Sequence, residues 1–160
     1  MAKLQKISPF LWFDGQAEEA AKFYVSIFPN STVGEVTRYT AAGPGPKGSV
    51  MTVPFTLDGQ EFTGLNSGSA FKFNESISFV VNCESQAEVD SFWAKLTAGG
   101  KEVQCGWLKD KFGVSWQIVP IEFMEMLHDK DEVRRDRCMQ AMMKMVKLDL
   151  AALKKAYAGA

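Results

Sequence analysis

Few side chains here are equipped for covalent or proton-transfer chemistry, and those few are far apart. Cys105 stands before Gly106-Trp107, with Lys109 close behind. A cation beside a thiol favours the nucleophilic thiolate, so a thiol mechanism is one reading of this segment. With no histidine nearby to activate it, a buried and inert cysteine is the plainer one. The single histidine, His128, lies in Met126-Leu127-His128-Asp129 at the close of an apolar helical run. That position suits a helix-end or surface residue better than a ligand or base. Cys83, Cys105 and Cys138 are odd in number and widely spaced, which fits reduced thiols rather than a disulfide framework. The chain is better supplied with aromatic surface. Four tryptophans and twelve phenylalanines could build an apolar pocket with a few orienting polar groups, although any single ring is core by default.

The elements that must position these residues are written twice. Residues 10–31 and 79–100 align without a gap at an offset of 69. In each copy an apolar run, Phe10-Leu11-Trp12-Phe13 or Phe79-Val80-Val81, leads into a helix. The core faces are Ala20, Phe23, Tyr24 and Ile27 in one copy and Val89, Phe92, Trp93 and Leu96 in the other. Both follow i, i+3, i+4, i+7, the stripe of a helix packed on a sheet. The first copy predicts a strand over 6–13, a helix over 16–28 and strands over 32–40, 48–57 and 60–66. The second predicts a strand over 76–82, a helix over 86–98 and strands over 102–108 and 112–119. Asp14 is the expected N-cap of the first helix, Ser85 with Glu88 forms a capping box for the second, and Gly99-Gly100 ends it. Residues 41–48, Ala-Ala-Gly-Pro-Gly-Pro-Lys-Gly, predict a mobile hairpin loop. After Pro120 the pattern turns helical over 121–127, 131–147 and 149–158, with Met139, Met142, Met143 and Val146 on one face. That face is expected to dock on the sheet or on a second subunit. The charges from Asp129 to Arg137 read as a solvated surface.

These patterns predict an α+β fold of paired βαβββ modules with C-terminal helices. The expected organisation is a single domain over 1–160: module one 5–67, module two 75–120 and a helical extension 121–160. A duplication of this kind places any site where the modules meet. At 46% hydrophobic content the chain can bury a core without staples. With 18 basic against 19 acidic residues and no sustained basic face, nucleic-acid binding has no footprint. No apolar run approaches a membrane span, and the opening Met-Ala-Lys-Leu-Gln-Lys has no signal-peptide core, so the expected location is the cytoplasm.

The paired modules, with Pro9-Phe10-Leu11-Trp12-Phe13-Asp14-Gly15, Glu19-Ala20-Ala21-Lys22-Phe23-Tyr24, Gly64-Leu65-Asn66-Ser67-Gly68 and the segment from Cys105 to Pro120, resemble the vicinal oxygen chelate superfamily. That superfamily takes in glyoxalase I, extradiol dioxygenases and bleomycin or fosfomycin resistance proteins. Within it the resemblance is nearest to the PhnB-like group, often labelled the 3-demethylubiquinone-9 3-methyltransferase domain. The implied fold is the glyoxalase/bleomycin resistance/dioxygenase-like fold. The methyltransferase label finds no glycine-rich strand-to-helix turn of the doubly wound kind in this sequence.

In metal-binding members the resemblance implies ligands on the first and last strands of each module. The corresponding segments here are Ser8-Pro9-Phe10, Gly64-Leu65-Asn66, Ile77-Ser78-Phe79 and Trp116-Gln117-Ile118. They offer two amides and a hydroxyl where a divalent ion wants imidazole, thiolate or carboxylate, so no tight metal site and no cofactor are expected. What the resemblance leaves is a concave sheet with Trp12, Phe55, Phe79, Trp107 and Trp116 in or near its strands and Phe71 and Phe73 on the connector. Asn66, Ser78 and Gln117 supply polar groups. Alternation puts Trp116 and Gln117 on opposite faces. The candidate ligand-binding residues are Trp12, Phe55, Asn66, Ser78, Cys105, Trp107 and Gln117. The expected function is binding of a small aromatic or apolar molecule in the cleft between modules by a homodimer. The alternative is an enzyme acting on a small oxygenated or aromatic substrate: a lyase, a dioxygenase or, as the family is labelled, a methyltransferase.

Overall fold

The computed structural model describes residues 5–160 and divides into two units, one ending at Lys72 and the other running Phe73–Ala160. The extension thus belongs with the second module. Unit 1 contains β1 (Phe10–Phe13), α1 (Ala17–Ile27), β2 (Thr32–Val33), β3 (Thr37–Arg38), β4 (Val50–Leu57) and β5 (Gln60–Asn66). Its sheet runs β1-β5-β4-β2, with β3 also on β4; β1 lies parallel to β5 and β4 antiparallel to it. Unit 2 contains β6 (Ser78–Cys83), α2 (Gln86–Thr97), β7 (Lys101–Glu102), β8 (Trp107–Lys109) and β9 (Ser115–Pro120), then α3 (Ile121–Leu127), α4 (Glu132–Met142) and α5 (Leu150–Ala158). Its sheet, β6-β9-β8-β7, repeats the first: β6 parallel to β9, β8 antiparallel to β9.

Each helix covers one face of its own sheet. Phe13, Val53, Phe55, Leu57 and Phe62 are buried together with Ala17, Ala20, Ala21, Tyr24 and Ile27 of α1. Phe55 stacks between Tyr24, at 6.0 Å, and Phe62, at 5.4 Å between ring centroids. Each large ring withdrawn from water in this way contributes about 1.5–3 kcal/mol. Gly64 lets α1 approach β5, because a Cβ there would stand 3.0 Å from that of Ala17. In unit 2 the matching layer is Val89, Trp93, Leu96, Leu108, Trp116, Ile118 and Cys83. The Trp93 indole donates to Glu102 Oε1 at 2.6 Å, so its one polar atom is satisfied at the layer's rim.

Several expected boundaries move for local reasons. The strand predicted over 32–40 is two short pieces with a register shift at Thr37/Arg38, and Gly34 donates to Pro54 O at 2.7 Å between them. The strand predicted over 102–108 breaks where Cys105 and Gly106 take positive φ of 62° and 80°. The helix predicted over 131–147 ends at Met142. Beyond it the chain pairs with that same turn, Cys105 N–H to Met145 O and Gly106 N–H to Val146 O, both 2.8 Å. Leu148 then enters a small core with Val119, Phe123, Met126, Cys138, Leu150 and Leu153, and Asp149 caps α5 through the Ala152 N–H. Burial of Leu148 and a fresh cap outweigh continued helix. Cys138 is the buried residue of α4 and Met142 packs against the same small core, whereas Met139, Met143 and Val146 stay exposed, so the predicted methionine face docks within unit 2 only through Met142. Among the described residues no helix is long and apolar enough to cross a membrane.

Candidate functional site

The C-terminal ends of β1 and β5 line a polar pocket in unit 1. Asp14, Gly15 and Glu18 follow β1, Asn66, Ser67 and Gly68 follow β5, and Tyr39, Pro44, Gly45, Pro46, Ser49 and Val50 close the far side. The resulting pocket has a volume of about 530 Å³, within the span of roughly 300–1,000 Å³ that small-molecule sites occupy. Its far wall is the loop read from sequence as a mobile hairpin. The loop is bonded, with Gly43 N–H to Thr40 O, Gly48 N–H to Tyr39 O and Ser49 N–H to Pro46 O at 2.8–3.2 Å. It lies flat on the Tyr39 ring. A Cβ on Gly45 would meet that ring at 2.4 Å, so only glycine permits the approach. Tyr39 in turn donates its hydroxyl to Asn66 O at 2.5 Å.

Asn66 is the candidate polar residue that reaches this pocket, and both ends of its amide already have partners. Its Oδ1 accepts the Ala17 N–H at 2.9 Å and its Nδ2 donates to Val50 O at 3.3 Å. It therefore caps α1. Asp14, the N-cap read from sequence, does not; the N-cap position is Gln16, which makes no side-chain cap bond. Released from that task, Asp14 and Glu18 give the pocket two carboxylates. Among the described residues no lysine, arginine or histidine lines it. At a helix N-terminus this acidic character costs little, since the helix dipole favours negative charge there.

Trp12 stands beside the same strand ends on the face of the sheet away from α1. Its indole donates to Gly68 O at 2.8 Å, and its ring meets Phe71 edge-on at 4.9 Å and 87°. Phe10, 60% exposed, shares that face. Cross-strand hydroxyl pairs add to it, Thr37 with Thr52 at 2.6 Å and Thr32 with Thr56 at 3.0 Å. Phe55, proposed from sequence as a ligand contact, points the other way and belongs to the core under α1.

Three more candidates come together in unit 2. Gln117 is flanked in register by Val80 on β6 and Trp107 on β8, and its Nε2 donates to Ser78 Oγ at 2.9 Å. This places Ser78, Trp107 and Gln117 on the face away from α2, while Trp116 is 3% exposed on the other, as alternation requires. Trp116 donates its indole to Asp110, which also accepts the Phe112 and Val114 N–H groups. Cys105 is not on this surface. It sits in the left-handed turn before β8, its thiol 3.9 Å from Met143 Sδ. Lys109, read as its activating cation, pairs with Glu75 at 2.5 Å, and that contact holds the Glu75 carboxyl below the ordinary range. His128 ends α3, its Nδ1 2.6 Å from Met124 O. Sequence reasoning missed Asp14, Glu18, Tyr39 and Ser49 as pocket residues; the Gly-Pro-Gly-Pro segment was the signal that could have found them.

The family model for 3-demethylubiquinone-9 3-methyltransferase matches residues 5–119. The PhnB protein of Bacillus cereus, provisionally described as such a methyltransferase, is 41% identical over 72% of this chain and 99% of its own, with a TM-score of 0.66. A Pseudomonas aeruginosa protein is 22% identical over 74% of this chain and 98% of its own, TM-score 0.59. A fosfomycin resistance protein of Listeria monocytogenes, solved with Mn(II) and sulfate, is 14% identical over 75% and 90%, TM-score 0.50, a likeness of fold. No curated protein matches. The strand positions at issue do not fit a manganese-type ion in this chain. Asn66 and Gln117 are neutral amides with partners of their own, and among the described residues no three His, Cys, Asp or Glu side chains converge.

Proposed function

The chain belongs to the 3-demethylubiquinone-9 3-methyltransferase family, the PhnB-like branch of the vicinal oxygen chelate superfamily, and from that premise we propose that it is a binding protein for a small organic molecule seated in the unit 1 pocket. The observation that carries this reading is the pocket's construction. A glycine-proline loop pressed onto Tyr39 holds open about 530 Å³ beside the ends of β1 and β5, and rigid walls lower the entropy cost of binding. The lining asks for two features in the ligand. Tyr39, Pro44, Pro46 and Val50 favour an apolar or aromatic body, while Asp14 and Glu18 favour an end that donates hydrogen bonds or carries positive charge. No side chain of the pocket is paired as nucleophile and base, which supports binding over turnover.

Native mass spectrometry of the freshly purified protein tests this. The expected spectrum shows an organic adduct released on denaturation, and subunits counted as two, the assembly expected from sequence. Gly45→Ala, which drives a methyl group into the Tyr39 ring, is expected to lower adduct occupancy at least tenfold. Full occupancy in a Gly45→Ala protein of unchanged Tm would remove the pocket from the proposal. Saturable binding of S-adenosylmethionine with methylated product would replace it with the enzyme reading.

A further inference from the structure

We infer that the turn before β8 and the start of the C-terminal segment form a binding site for a soft monovalent metal ion of the Cu(I) type. It is independent of the small-molecule pocket. Two sulfurs meet here, and a third, a thioether, lies one helical turn away. Cys105 Sγ lies 3.9 Å from Met143 Sδ. Met139 stands one helical turn before Met143, the Met143 N–H donating to Met139 O at 3.0 Å, so both thioethers lie on one side of α4. Two sulfurs bonded to one ion at about 2.3 Å each and opened to a trigonal angle stand about 4 Å apart, close to the separation found. Thiolate and thioether together are the donor set that selects Cu(I) over the harder divalent ions.

The approach is fixed by backbone rather than left to flexible side chains. Cys105 N–H and Gly106 N–H are locked to Met145 O and Val146 O at 2.8 Å. Gly106 fits because a Cβ there would stand 3.0 Å from Leu148 Cγ. Met143 is 59% and Met139 39% exposed, so an ion can enter. The other thiols are closed off: Cys83 and Cys138 are 1% and 0% exposed. Both thioethers, Met139 and Met143, lie beyond residue 119, where the family match ends, so the site is a property of this chain's extension. On binding, the Cys105 thiol gives its proton to solvent as the Sγ–metal bond forms. No electron changes hands, because the ion arrives already as Cu(I).

The test is anaerobic titration of the full chain with Cu(I) held by a bathocuproine chelator, with uptake counted by native mass spectrometry. One equivalent is expected for the wild type, loss of that equivalent in Cys105→Ser, and at least tenfold weaker retention in Met143→Leu. X-ray absorption at the copper edge should show sulfur neighbours only. No uptake by the wild type would reduce the Cys105–Met143 contact to a thiol–thioether hydrogen bond and overturn the site. Equal uptake by Cys105→Ser would do the same. Met143→Leu changes an exposed side chain, so it decides the matter even if Cys105→Ser folds poorly.

Discussion

Helices α1 and α2 occupy the same place in the two repeats, yet their first turns are held by different means. Ser85 caps α2 from its own sequence neighbourhood, accepting the Glu88 N–H at 3.2 Å, while Glu88 reaches back to the Glu84 N–H at 2.7 Å. The first turn of α1 is held by Asn66, 49 residues away at the end of β5. The strand ends differ correspondingly. In unit 1 they open into a pocket under the Tyr39 loop. In unit 2 the end of β9 runs directly into α3, and Gln86 at the start of α2 donates to Leu148 O and accepts the Leu150 N–H. Lys147 adds an ion pair to Asp90 at 2.5 Å, which holds the Asp90 carboxyl low. One topology has thus been finished twice, once around a cavity and once under a helical cap. A duplicated fold can keep its hydrophobic layers while its strand ends diverge, because the layers need only apolar volume whereas the ends need specific polar partners.

Four substitutions or titrations probe that difference. The largest effect is expected from Leu153→Ala, which empties a fully buried position in the cap. It should cost about 2–5 kcal/mol in denaturant unfolding. The unit 1 adduct should survive under native conditions; its disappearance would mean that the cap and the pocket are not separately maintained. Asn66→Ala removes the α1 cap and leaves the Val50 carbonyl without its donor, a loss of about 1–3 kcal/mol, with adduct occupancy falling alongside. Ser85→Ala should cost about 1 kcal/mol and leave the adduct untouched. Equal effects of the Asn66 and Ser85 changes on both readouts would erase the contrast between a tertiary and a local cap. The smallest effect is a titration. Burial, then the neighbouring Glu88 charge, pushes the Cys83 thiol from 9.0 up to about 12. The folded state therefore holds that proton when the unfolded chain has lost it. Its contribution to stability is complete below pH 9 and is lost as pH rises towards 12. Urea midpoints measured from pH 8 upward should fall in the wild type and fall less steeply in Cys83→Ala.

The amino-acid sequence by itself determined the repeat, the helix-on-sheet layers and the Ser85 capping box, because each is written in the spacing of neighbours along the chain. Apolar residues at i, i+3, i+4 and i+7 pack on a sheet whatever else the chain does. The alternation that sent Gln117 to one face and Trp116 to the other is equally local, as is His128 at a helix end. The tertiary structure alone decided which polar groups are free to act. Asn66 could be read as a ligand contact until the Ala17 N–H and Val50 carbonyl were seen to occupy its amide. Asp14 could be read as a cap until Asn66 took that role, and Phe55 as a pocket wall until its rank in the α1 core was visible. The Gly-Pro-Gly-Pro segment announced a break in regular structure, but only its seat on Tyr39 made it a wall. The helix predicted to run to 147 was cut at Met142, since Leu148 gains more from the core than residues 143–147 gain from helix. Hydrogen-bond partners and buried neighbours come from residues tens of positions away, and no local pattern records them.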